Sequence, residues 1–84
     1  MIDLPPPQYH YSGGLVVIER PAQTVMQICH LMGLRAPGRI YGCMVPGLMA
    51  CMIVVPKVDA ATTQQIHDDV VRHELAHCAG WRHE

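Results

Sequence analysis

The segment His73-Glu74-Leu75-Ala76-His77 sets two imidazoles four positions apart, an arrangement that brings them together only if the segment is helical. On an α-helix, positions i and i+4 lie about 40° apart around the axis, so both rings leave one face. Two neutral rings so placed can fill two corners of a zinc tetrahedron, with nitrogens about 2.0 to 2.1 Å from the ion. Glu74 falls about 100° round from His73, beside such a metal rather than on it. There a carboxylate can take a proton from zinc-activated water and pass it on. A straight helix would carry His83, the next histidine, away from the pair. The chain must therefore turn sharply after His77, and Gly80 supplies the turn because it adopts positive φ without a Cβ penalty. Three imidazoles would leave a fourth position for water, which distinguishes catalytic from structural zinc.

The rest of the chain is read as a support for that helix. With 84 residues, the sequence holds at most one small domain. A domain of that size buries roughly 60 to 65% of its unfolded surface and gains much from a bound metal, a disulfide or a partner. Residues 1–13 form a Pro-rich lead (Pro5, Pro6, Pro7) expected to lie extended over the surface. Residues 14–84 are read as a single zinc-binding domain. In it, Leu15 to Ile18 is a short β-branched run that reads as a buried strand. Pro21 can occupy a first helical turn, after which Val25, Ile28, Cys29 and Met32 fall at helical spacing up to Gly33. Ala36-Pro37-Gly38 is turn chemistry. The runs Ile40 to Val45 and Leu48 to Val55, around Pro46-Gly47, read as a hairpin too apolar to have a well-solvated face. Thr62 or Thr63 caps the last helix, which runs to about Ala79. The fold class is α+β, in the order strand, helix, hairpin, helix.

Charge and cysteine content exclude some roles. Six Lys and Arg against seven Asp and Glu leave no basic excess for nucleic acid. Ile40 to Pro56 is uncharged, but Pro46-Gly47 in its middle makes a turn rather than a membrane-spanning helix. No secretory signal is visible at Met1 to Tyr11, so the cytoplasm is the expected location. Cys29, Cys43, Cys51 and Cys78 lie in apolar runs without CxxC spacing, which reads as buried free thiols. A cross-strand disulfide between Cys43 and Cys51 is the alternative.

The eleven residues from His73 to His83 fit HExxHxxGxxH at every specified position and resemble the zinc signature of the metzincin clan of metalloendopeptidases. The resemblance implies one zinc ion per chain on His73, His77 and His83, with Glu74 as general base and acid and Gly80 as the turn. It implies a peptide or protein substrate, and an architecture similar to a minimal metzincin N-terminal subdomain. The sequence departs from the clan in having no downstream methionine turn, since it stops at Glu84. It would then be a minimal version, a piece of a longer chain, or a domain whose cleft a partner chain completes. The expected function is a zinc metalloendopeptidase, and the alternative is a zinc-stabilised binding or inhibitor module without turnover.

Other residues carry weaker signals. Trp81 could wall a substrate pocket or pack beneath the turn. Tyr9, Tyr11 or Tyr41 could stabilise an oxyanion or simply lie on or near the surface. His67 is rotated off the face of the histidine pair and reads as a surface residue. His10 and His30 have no partner at metal spacing, and Asp68, Asp69 and Arg72 form a solvated face.

Overall fold

The computed structural model describes residues 2, 4–33 and 41–82. A three-stranded sheet takes the order β1-β3-β2, from β1 (Leu15–Arg20), β2 (Cys43–Val45) and β3 (Cys51–Pro56). Helices α1 (Ala22–Leu31) and α2 (Gln64–Cys78) complete the α+β domain. β1 runs parallel to β3 with Leu15 opposite Cys51, and β2 runs antiparallel to it with Cys43 opposite Val54.

β3 is the centre of the molecule because its residues are apolar on both faces. Val54 packs with Val25 and Cys29 of α1, and Ile53 and Val55 pack with Val70 of α2. Successive side chains of a strand point to opposite faces, so even positions of β3 meet α1 and odd positions meet α2. Ile53, Val54 and Val55 are all fully buried. That satisfies the expectation of a hairpin without a solvated face, but only over a shorter length. The strands close in around 46–50, where Leu48 and Met49 are exposed.

Two expectations about strands and lead are corrected. β1 is an edge strand with Leu15, Val16 and Val17 exposed, and of the expected buried run Ile18 is the residue that packs against Val25, Cys29 and Val54. The Pro-rich lead is not merely laid over the surface: Pro5 is buried, and Ile2 packs on the cluster of Ile53, Val55 and Val70. Ile40 and the Ala36-Pro37-Gly38 turn lie outside the described residues.

The cysteines are corrected as well. They are neither free thiols nor a Cys43–Cys51 pair; the disulfides are Cys29–Cys43 and Cys51–Cys78. The reason lies in the register. Cys43 sits opposite Val54, on the α1 face, whereas Cys51 is an odd position of β3 and points to α2. Each disulfide fastens one helix to its own face of the sheet.

Candidate functional site

α2 begins at Thr63, whose hydroxyl accepts from the Ile66 amide at 3.2 Å, one of the orphan donors of the first turn. Just before it, Asp59 Oδ1 accepts from the amides of Ala61 and Thr62 and folds the chain back from β3. The helix ends as the glycine predicted. Gly80 has φ of +103°, the Gly80 amide donates to His77 O and the Trp81 amide to Ala76 O, both at 3.0 Å. This is the Schellman pattern, in which a left-handed residue satisfies the last carbonyls of the helix.

The helix brings His73 and His77 together as the i, i+4 spacing requires. Their Nε2 atoms are 3.0 Å apart and their ring centroids 4.6 Å. His77 Nδ1 lies 2.7 Å from the Trp81 carbonyl oxygen. A carbonyl can only accept, so Nδ1 carries the proton and the Nε2 of neutral His77 accepts from His73. The indole of Trp81 stacks on His77 at 4.9 Å and 21°, and meets His73 edge-on at 5.1 Å.

Glu74, next to His73 in sequence, turns toward the sheet and is only 6% exposed. Burial removes water from its carboxyl and pushes the pKa up to about 7. Sequence reasoning missed a residue here, Gly42. A Cβ at Gly42 would lie 2.8 Å from both Val54 O and Val70 Cγ1, and 3.5 Å from Glu74 Oε2. Gly42 therefore gives α2 the clearance to seat Glu74 against the hairpin. Its only sequence signal is a residue without a side chain just ahead of an apolar run.

The remaining expected residues separate from the pair. His67 is half-buried rather than on the surface, with Nδ1 2.7 Å from Pro56 O and Nε2 3.7 Å from Glu19 Oε1. Tyr11 donates to Gly14 O at 2.7 Å, and Tyr41 packs on the cluster of Ile53, Val55 and Val70. Tyr9 approaches Trp81, with centroids 6.4 Å apart. His83 lies outside the described residues.

The chain matches no protein-family model, no curated protein and no solved structure. The identification as a metzincin is corrected accordingly, and the zinc and hydrolase labels taken from that resemblance lose their ground with it. Among the described residues no three or more His, Cys, Asp or Glu side chains gather into a group that could hold a metal ion. What those residues form is a small α+β domain closed by two disulfides. The likeness to the clan is confined to eleven positions of sequence. No helix among the described residues is long and apolar enough to cross a membrane.

Proposed function

We propose that the chain hydrolyses peptide bonds at the His73–His77 pair, with Glu74 beside it in sequence and the help of one bound zinc ion, independently of any membership of the metzincin clan. One observation carries the reading: two Nε2 atoms 3.0 Å apart on one helix face, with a buried carboxyl on the residue between them in sequence. Two imidazole nitrogens could hold zinc only once the proton shared between them is lost, and His77 has its other nitrogen engaged by a carbonyl, as zinc-binding histidines do. When bound, zinc would supply the Lewis acidity that polarises a scissile carbonyl and acidifies water.

The chain's own residues do the rest. His73 and His77 would hold the ion, with His83 proposed as a third ligand from the sequence spacing alone. Glu74 takes the proton from the attacking water and returns it to the leaving amine. Trp81, with Tyr9 near it, walls the pair on one side and limits solvent. A partner chain can complete the substrate cleft of so small a domain.

The second reading is a binding module without turnover. The disulfides support it, because a fold already cross-linked on both faces of its sheet can present a surface without catalysis. They also favour an oxidising compartment over the cytoplasm expected from the sequence.

The two readings part at Glu74→Gln, which keeps the side chain's size and removes its basicity. For the hydrolase, the variant takes up zinc as the parent does and loses cleavage of an unfolded protein by about a hundredfold or more. Equal cleavage by both proteins rejects Glu74 as the base. A zinc-loaded parent that cleaves nothing leaves the binding module.

A further inference from the structure

We propose that Trp81 is the positioning residue of the histidine pair, holding His77 in the single tautomer and orientation that turns Nε2 toward His73. The part of the inference that concerns zinc rests on the functional reading above; the part that concerns the tautomer does not.

Two parts of Trp81 act on the same ring. The backbone part follows from the helix end. The Gly80 turn brings Trp81 back over the last turn of α2, and its amide is tied to Ala76 O at 3.0 Å. Its carbonyl is thereby placed 2.7 Å from His77 Nδ1, where it accepts that proton and makes Nε2, which faces His73, the acceptor nitrogen of the ring. The side-chain part is the indole, stacked at 21° on the His77 ring and edge-on to His73 at 83°. A flat face against the imidazole opposes rotation about χ2, and a half-turn of the ring would break the bond to the carbonyl. Tyr9 of the Pro-rich lead meets the indole in turn, so the lead is connected to the pair through one side chain.

A group that bonds the far nitrogen of a metal-binding histidine fixes its tautomer, and loss of such groups costs about tenfold to a hundredfold in metal affinity. Glycine at position 80 is needed for the turn, but the turn alone does not require tryptophan at 81. Stacking on His77 calls for an aromatic face there.

The test compares the parent with Trp81→Ala, Trp81→Leu and Trp81→Phe. In metal-free protein, long-range proton–nitrogen correlations report which His77 nitrogen carries the proton. Zinc affinity is read by competition with a chromophoric chelator, and melting curves report the fold. The parent should show only the Nδ1–H form. Trp81→Ala and Trp81→Leu should show a mixture of tautomers and bind zinc about tenfold to a hundredfold more weakly. Trp81→Phe, which keeps an aromatic face, should retain the tautomer and most of the affinity. If the alanine variant fails to fold, the leucine variant decides. A folded leucine or alanine variant with the parent's tautomer, or with its zinc affinity, overturns the proposal. If the parent itself takes up no zinc, the functional reading falls, and the tautomer comparison alone decides the role of Trp81.

Discussion

At the scale of single residues, two glycines and a carboxyl account for much of the site's design. A Gly42→Ala methyl would meet Val54 O and Val70 Cγ1 at 2.8 Å, and the first of these is backbone that cannot step aside. Overpacking of this kind costs roughly 1 to 3 kcal/mol, so the variant should unfold at clearly lower denaturant than the parent. Gly80→Ala is a different case, because nothing lies within 4 Å of its Cβ and the whole cost is its φ of +103°. A loss of about 1 kcal/mol is expected there, read by the same denaturation. Glu74 gives a pH dependence in chelator-treated protein. Its pKa rises from 4.5 in the open chain to about 7 in the fold, so the folded state holds the proton more tightly. Stability is therefore full below pH 4.5 and declines as the pH rises through about 7, where a buried carboxylate must form. Glu74→Gln should remove that decline. Melting curves of both proteins from pH 4 to 8 check it, and parallel curves would mean the carboxyl is not desolvated.

At the scale of elements, the sequence spoke most clearly where a local rule and a tertiary contact agree. The i, i+4 histidines, Thr63 and Gly80 define α2 and its end almost to the residue, because caps and helical spacing are written in neighbours. The apolar runs of the hairpin were legible as strands but not in length. What shortens them is exposure of Leu48 and Met49 at the turn, which no pattern of hydrophobicity announces. β1 was legible as a strand and not as an edge, since strand order is a property of the sheet. Within the site, the pairing of His73 with His77 was readable, whereas the approach of Trp81 O depended on the path of the chain after Gly80. The disulfides were not readable at all from spacing; they follow from which face each cysteine occupies once the register is set. Cys51–Cys78 joins the first residue of β3 to the last of α2 and so fastens the end of the helix next to His77. Replacing both with alanine should cost about 3 kcal/mol and speed amide exchange selectively in the last turn of α2. Uniform exchange across the chain would show that the bond acts on the unfolded state alone.

At the scale of the whole molecule, the balance between metal and cross-link changes what holds the chain together. From sequence, a chain of 84 residues with a core of Val, Ile, Leu, Met and Cys invites a stabilising metal. With two disulfides in place, loss of a ligand removes only its binding contribution, whereas reduction removes roughly 3 kcal/mol per bond from a domain whose net stability is about 5 to 10 kcal/mol. Chelator alone should thus leave the far-ultraviolet circular dichroism at 25 °C unchanged, and a phosphine reductant should lower the melting midpoint by tens of degrees. The reverse order would mean that the metal, not the cystines, carries the fold.

The opposite outward directions of Cys43 and Cys51 have a consequence for how the molecule is made. Four thiols can join in three ways, and the pair nearest in sequence, eight positions apart, is Cys43 with Cys51. Loop closure alone favours that pair over the native separations of 14 and 27. On loop closure alone the open chain is expected to oxidise first to a wrong pair, which cannot persist once β2 and β3 align, because alignment sends the two sulfurs to opposite sides of the sheet. Strand pairing acts as the proofreader of cystine formation. A newly synthesised chain would depend on thiol exchange, or on an isomerase, to move from the shortest loop to the two bonds that staple a helix to each face.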